Sequence, residues 1–402
     1  MRATHVITRL IVGGAQENTV ASVLGLRHKP DVVVRLVAGP STGPEGSIEP
    51  ALASFPGLLT TLPELVRPIH PAKDLLALRR LSAMFRHDQP DIVHTHSGKA
   101  GVLGRLAAAR ARVPVVIHTI HGPSFGPFQS LPANWLLRCA ERYAARVTTH
   151  FVVVADAMKQ RYLEAGIGRP DQFTRIFSGF ELDPFLAAVN DLDLRAKLGF
   201  AREDIIVGKI ARLVRLKGHD DLMAVAPELI RKCPRIKFLL IGDGHWRERF
   251  ESQARVLGLG RHFVFTGLVA PEAVPPLVGI MDFLIHLSRR EGLARALPQA
   301  LAAARPVVAY DCDGANEVCL ENETGFLVPP GDLQGLSRRM LQLAEEPFLR
   351  RRLAQAGRIF VQSRFDVQSM VDALHQLYLR LAAPAGRATA TTEQPMFRDA
   401  AR

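Results

Sequence analysis

Two apolar runs, residues 283–287 (Phe-Leu-Ile-His-Leu) and 305–310 (Arg-Pro-Val-Val-Ala-Tyr), bracket the stretch that most constrains this chain. Each has the length and composition of a buried strand. Between them lie Ser288, Arg289, Arg290, Glu291, Gly292 and Leu293, then a small-residue segment that reads as a helix. Pro298 limits where that helix begins. Proline has no N–H, so it is accommodated only in a first turn, where N–H groups have no intrahelical partner. The helix therefore starts close to Arg295, and its positive end is aimed back at the Glu291-Gly292-Leu293 loop. A helix N-terminus beside a glycine loop suits an anion such as a phosphate. Glu291 cannot bind phosphate and is expected to accept hydrogen bonds from hydroxyls beside it. A phosphate next to hydroxyls suggests a sugar nucleotide.

The same strand–turn–helix plan recurs along the chain. Residues 4–10 read as a strand, Gly13-Gly14 as a turn and 15–24 as a helix. Further strands are expected at 31–37, 91–96, 114–120, 151–154 and 175–179. Residues 38–56 read as a loop and 73–86 and 99–111 as helices. The polar stretch 181–203 reads as a junction, after which strands recur at 205–210, 236–241 and 263–265. Repeated βα units predict an α/β protein of two doubly wound, Rossmann-like domains facing across a cleft. The length of 402 residues suits two or three domains, and residues 366–381 form an amphipathic helix pattern. The expected division is 1–183, 184–365, a helix at 366–383, and a disordered Ala-, Pro- and Thr-rich tail at 384–402.

The net charge is +12, from 51 Lys and Arg against 39 acids. Nucleic acid, anionic lipid or a phosphorylated substrate could each account for it. The basic residues are dispersed and no nucleic-acid-binding signature occurs, so nucleic acid is the poorest of the three. The four cysteines form no CxxC pair, which fits a reducing cytosol better than a disulfide framework. No signal peptide is expected from the N-terminus, and no apolar run has the length of a membrane span.

Several residues stand where ligands meet such folds, at the carboxyl ends of strands. His94 and His96 share a face of their strand and, with Ser97, Gly98 and Lys99, are expected to line the cleft. An HxH pair can ligate metal, but no third ligand of fitting spacing follows it. His121-Gly122 ends the next strand and is the stronger histidine signal. His118 points to the opposite face and reads as core. Phe125, Phe128, Leu131 and Trp135, followed by Arg138, Arg142 and Arg146, fit either docking on an anionic bilayer or a loop folded on its own domain. Arg212 and Lys217 follow a buried strand, where a fork and a point charge suit a diphosphate. Gly242-Asp243-Gly244 reads as a tight turn near the ligand. There is no Walker lysine motif, and Asp311-Cys312-Asp313 reads as a loop, so no metal or cofactor is required.

In this order, Gly13-Gly14, His121-Gly122, Ala211-Arg-Leu-Val-Arg-Leu-Lys-Gly218, Gly242-Asp-Gly244, Glu291-Gly-Leu293, Gly314-Ala-Asn-Glu317 and residues 324–332 are specific. The chain resembles the retaining GT-B glycosyltransferases of family 4, the group 1 type, from Val6 to about Leu381. The resemblance implies a nucleotide-sugar donor on the second domain, an acceptor on the first, and a final helix crossing back to the first domain. Arg212 and Lys217 would grip the diphosphate. Glu291 would contact donor-sugar hydroxyls, and the amides of Gly292 and Leu293 would approach sugar or phosphate. Leu268 lies where the family's backbone contacts the base, and His121 would stand near the reacting carbon. Gly13, Gly14 and Gly242 complete the expected donor site. His96, Ser97 and Lys99 form the expected acceptor side. Gln299 replaces an acid that holds the ribose in the family; it keeps hydrogen-bonding capacity but not the charge. Residues 176–179, Ile-Phe-Ser-Gly, also depart from the Pro-Asn-Gly turn of many members.

The resemblance implies hexosyl or N-acetylhexosaminyl transfer from a UDP-linked sugar, with retention, to a glycan or polyprenyl/lipid-phosphate acceptor. The implied role is cell-surface polysaccharide or glycolipid synthesis, in the cytoplasm or on the inner face of the plasma membrane. A UDP-sugar 2-epimerase of the same architecture and a non-catalytic glycosyltransferase-like subunit are the alternatives.

Overall fold

The computed structural model describes residues 1–43 and 46–383; the expected tail at 384–402 lies outside them. Two parallel sheets carry the chain. The first holds β1 (Arg2–Ile7), β2 (Val33–Ala38), β3 (Leu59–Thr61), β4 (Ile92–His96), β5 (Val115–Ile120), β6 (His150–Val153) and β7 (Phe173–Arg175), in the order β3-β2-β1-β4-β5-β6-β7. The second holds β8 (Ile205–Ile210), β9 (Ile236–Ile241), β10 (Phe263–Gly267), β11 (Phe283–His286), β12 (Val307–Tyr310) and β13 (Gly325–Val328), in the order β10-β9-β8-β11-β12-β13. Helices cover both faces of each sheet. That is why β5 is buried throughout and why most strands read as continuous apolar runs.

The strand bounds differ from expectation where local geometry intervenes. The second strand begins at Val33, not at 31, because the Val32 N–H is used in a turn to the Lys29 carbonyl. The seventh ends at Arg175, where an extended pair with β6 was expected to run on to 179. Instead residues 176–180 leave the sheet to meet the final helix. Phe180 bridges Asp366, and a side chain at Gly179 would lie 2.7 Å from the Asp366 carbonyl oxygen. The stretch 181–203 folds into two short helices, Asp183–Leu186 and Leu192–Lys197, whose Leu182, Phe185 and Phe200 join the second domain's core.

The helix Val367–Ala382, capped by Asp366, lays Met370, Val371, Leu374 and Tyr378 against the first sheet beside the helix Gly14–Arg27. The last helix thus returns to the first domain. Gly25 is the close-approach point, since a Cβ there would stand 2.3 Å from a Val371 methyl.

A buried ion pair fixes the helix Leu131–Ala145 to the helix Gly98–Arg110. Arg105 and Glu141 are almost fully buried and meet at 2.6 Å. Arg105 also donates to the Gly101 carbonyl at 2.8 Å, and Glu141 accepts from the Ser124 hydroxyl at 3.1 Å. Removing one partner strands the other charge in the interior. Arg105→Ala is therefore expected to cost about 3–5 kcal/mol, read from urea unfolding midpoints. A loss under about 1 kcal/mol, the range of exposed pairs, would mean water reaches the pair.

Candidate active site

Strand order reverses between β8 and β11, so their loops diverge and leave a crevice at the carboxyl ends. The loop after β8 carries exposed Arg212 and half-buried Lys217. Leu216 (φ 72°) and Gly218 (φ 67°) turn it sharply. A Cβ on Gly218 would lie 2.1 Å from the Leu287 carbonyl oxygen, so glycine is what lets this loop touch the one after β11. The Arg289 N–H donates to the Leu216 carbonyl at 2.8 Å and joins the two loops.

At this junction Lys217 Nζ forms an ion pair with Glu291 Oε1, and His286 Nε2 lies 3.5 Å from the same oxygen. Burial alone would raise the Glu291 pKa. The Lys217 charge and His286 outweigh it and hold the carboxyl well below the usual range. Glu291 is therefore an anionic acceptor. Beneath it, Lys209 is buried; burial and the neighbouring Lys217 charge lower its ammonium to about 7. Neither Lys209 nor His286 was singled out from the sequence. The available signal was one basic side chain inside each of the apolar strands Ile-Ile-Val-Gly-Lys-Ile and Phe-Leu-Ile-His.

The helix after this loop runs Ala296–Ala302 with Arg295 at its cap, as Pro298 requires. Leu293 is buried, and Gln299 is half-buried one turn in. Gly242 and Gly244 support the site from behind, since Cβ atoms there would meet the Ala211 and Leu213 carbonyl oxygens at 2.4 and 2.5 Å. Leu268 follows β10 and is exposed. Asp313 gained a role that the sequence did not show. Its carboxylate accepts from the Glu291 N–H at 2.7 Å and pairs with Arg161 of the first domain at 2.7 Å.

The first domain meets this loop directly. A Cβ on Gly292 would stand 1.9 Å from the His121 carbonyl oxygen. Arg290 donates to the Pro123 carbonyl at 2.7 Å and stacks 3.6 Å above the Phe128 ring. Arg295 pairs with Glu17, and its Cδ would lie 3.3 Å from a Cβ on Gly14. Gly13 is extended (φ 168°), so the close approach at Gly14 is the clearer use of glycine in that turn. His121, Gly14, Glu291, Gly292 and Leu293 are thus brought together, with Lys217 on Glu291 and Arg212 on the same β8 loop.

The expected acceptor side needs correction. His96 is buried (1% exposed) and does not line the cleft; its nitrogens are occupied by His5 at 2.9 Å and His121 at 3.0 Å. His94 is likewise buried, between Tyr378 and Thr119. Lys99 is committed to Asp74 and to the Pro68 carbonyl. Ser97 (φ 66°) is half-buried at the end of β4. His118 is core, bonded to Thr95 Oγ1 at 2.9 Å. Of the aromatic loop, Phe125 is buried and Phe128 lies under Arg290, while Leu131 (85%) and Trp135 (68%) are exposed.

A third histidine does reach the HxH pair. His5, opposite His94 in the β1–β4 register, brings three ring nitrogens within 4.8 Å. It precedes the pair by some ninety residues and only the sheet joins them. His5 Nδ1 and His96 Nε2 face each other at 2.9 Å, and both nitrogens of His94 are bonded, to Tyr378 and Thr119, so the nitrogens of this cluster already hold hydrogen bonds.

Comparison with known proteins agrees with both halves of this arrangement. Residues 13–176 match the glycosyl transferase 4-like domain, and residues 190–360 match the glycosyl transferases group 1 family. A relative in Bacillus subtilis, named as glycosyltransferase EpsD, is 30% identical over 76% of this chain and 81% of its own. A second, in Escherichia coli, is named UDP-Gal:alpha-D-GlcNAc-diphosphoundecaprenol alpha-1,3-galactosyltransferase. It is 26% identical over 79% of this chain and 82% of its own. Among solved structures, Anabaena HepE in complex with UDP and glucose superposes with a TM-score of 0.79 at 22% identity, covering 94% of this chain and 99% of that one. Sucrose-phosphate synthase from Thermosynechococcus elongatus gives 0.77 at 19%, covering 95% and 99%. With both domains matched in order and a relative at 30% identity over most of its length, the chain belongs to the group 1 glycosyltransferases and has their GT-B fold.

Proposed function

We propose that this glycosyltransferase moves a hexosyl or N-acetylhexosaminyl unit from a UDP-linked donor to a glycan or lipid-linked acceptor, with retention of configuration. The observation that carries the reading is the Lys217–Glu291 pair at the β8/β11 switch point, facing His121 across Gly292. Support also comes from the UDP-Gal and diphosphoundecaprenol in the name of the Escherichia coli relative and from the UDP and glucose bound by HepE. Retention rests on the resemblance.

In this reading Arg212 and Lys217 take up the charge of the departing diphosphate, and the Gly292 and Leu293 amides approach it. The sugar C1–O bond to the diphosphate breaks as the acceptor oxygen bonds to C1 and gives up its proton to the departing diphosphate oxygen. Glu291 accepts from donor-sugar hydroxyls, and His121 stands beside the reacting carbon. Gln299 meets the ribose, the Leu268 backbone meets the base, and Gly13, Gly14 and Gly242 leave room for the donor. Arg212 and Lys217 offer positive charge to the leaving diphosphate, and we propose no metal and no cofactor. Ser97 is the remaining acceptor-side candidate near the cleft. Product analysis tests the reaction: transfer to an added acceptor supports it. An epimerised donor formed without acceptor would instead establish the 2-epimerase.

We propose further that the helix Leu131–Ala145 rests on an anionic membrane at the cytoplasmic face. It exposes Leu131, Trp135, Leu136 and Tyr143, and Leu131, Trp135, Arg138 and Arg142 line a groove of about 300 Å³. Among the described residues no helix is long and apolar enough to cross a membrane. Cosedimentation with phosphatidylglycerol vesicles, lost in Trp135→Glu, is the expected result; equal binding by both proteins contradicts it.

A further inference from the structure

His121 does not stand alone behind the cleft. Its Nε2 lies 3.0 Å from His96 Nδ1, and His96 Nε2 lies 2.9 Å from His5 Nδ1. His5 Nε2 lies 2.9 Å from the Tyr378 hydroxyl, which is 2.6 Å from His94 Nδ1. His94 Nε2 ends the chain 2.6 Å from Thr119 Oγ1. The links come from β1, β4, β5 and the final helix, and His5, His94, His96 and Tyr378 are all buried.

A neutral imidazole has one donor and one acceptor. Burial lowers the pKa of all four histidines, so the neutral form is the relevant one. Each contact between rings needs one proton, so every link must point the same way. In one arrangement His121 Nε2–H donates to His96, His96 to His5, His5 to Tyr378, Tyr378 to His94, and His94 to Thr119. His121 Nδ1 is then bare and an acceptor. In the other every bond reverses, Tyr378 donates to His5, His96 Nδ1–H donates to His121, and His121 Nδ1 carries the proton. A single reversed link between rings would set two protons or two lone pairs face to face, and a reversal at Tyr378, whose oxygen can accept twice, would leave its hydroxyl proton outside the chain, in an interior where an unmade hydrogen bond is costly.

We infer that the tautomer of His121 is coupled through His96 and His5 to the hydroxyl direction of Tyr378, so that the direction of the whole chain decides whether His121 meets the cleft as donor or acceptor. The three are positioning residues, and the inference rests on His121 acting beside the reacting carbon. It also accounts for three strand positions, 5, 94 and 96, occupied by histidine where apolar side chains would pack as well, and it gives the final helix a stake in the site.

The test is nitrogen-15 spectroscopy of histidine-labelled protein, with the His121 signals assigned by His121→Asn. The wild type is expected to show one His121 tautomer. Tyr378→Phe keeps the ring and removes the link, and His5→Asn cuts the chain one step closer. Both are expected to move the His121 ring nitrogens toward a mixture of tautomers. Turnover should fall roughly threefold to tenfold, the worth of one neutral hydrogen bond, with donor KM unchanged. Circular dichroism identifies variants that remain folded. His121 shifts unchanged in a folded variant of either kind overturn the inference. So does one bound metal per chain at His5, His94 and His96, because those nitrogens cannot both ligate and relay. The tautomer readout needs no substrate. A wild type that transfers no sugar would remove the proposed function and leave the tautomer result standing.

Discussion

Lys217→Met is expected to slow sugar transfer by about two to three orders of magnitude, the usual effect of losing one preorganised charge-stabilising donor. The side chain follows β8, is half-buried, and meets Glu291 in a pocket shared with Lys209 and His286. In the proposed reaction its charge matters most when the diphosphate departs, so kcat should fall further than donor affinity. The variant should also change the pH dependence. Glu291 has a folded-state pKa below its ordinary value, so its contribution to stability is present above the ordinary carboxylate range and is lost only well below it. Without Lys217, the upward push of burial is opposed only by His286 and by the Lys209 and Arg290 charges. The acid limb of activity should therefore move to higher pH in Lys217→Met. An unshifted limb would mean Glu291 is not the group that must stay ionised.

Gly292→Ala is the second large effect. A Cβ there would stand 1.9 Å from the His121 carbonyl oxygen, a backbone atom that cannot swing away. One of the two loops must retreat, and a displacement near 1 Å at reacting groups costs about a hundredfold in rate. The proposed diphosphate grip, Arg212 and Lys217, is on the second domain, so UDP binding should survive while turnover collapses. Gly122→Ala is the control. Its nearest contact is 3.4 Å, ordinary van der Waals distance, and it should be near wild type. Equal losses in the two variants would show that the His121–Gly292 approach does not position the reacting groups.

Much of the architecture was legible because it rests on local rules. Pro298 fixes the helix start at Arg295 through its missing N–H, and the structure begins that helix at Ala296. Buried parallel strands announce themselves as apolar runs, so most strands were found. The edge strands Leu59–Thr61 and Gly325–Val328 were not, because three or four residues leave no room for a pattern. The errors cluster where distant segments decide. Lys99 looked available at a strand end, but Asp74 from the preceding helix claims it. His96 looked like a cleft residue, but β1 supplies His5 behind it. Asp313 looked like a bare loop acid, yet it ties the Glu291 loop to Arg161 of the other domain. None of these contacts has a spacing that a sequence pattern could carry.

The most direct measurement is the melting temperature of the wild type and of Arg212→Ala across a panel of nucleotide sugars. A ligand that binds only the folded state raises the midpoint in proportion to its affinity. UDP-linked sugars are expected to raise it clearly in the wild type and much less in Arg212→Ala. Equal shifts in the two proteins would contradict the diphosphate site at β8, and no shift with any donor would favour the non-catalytic subunit.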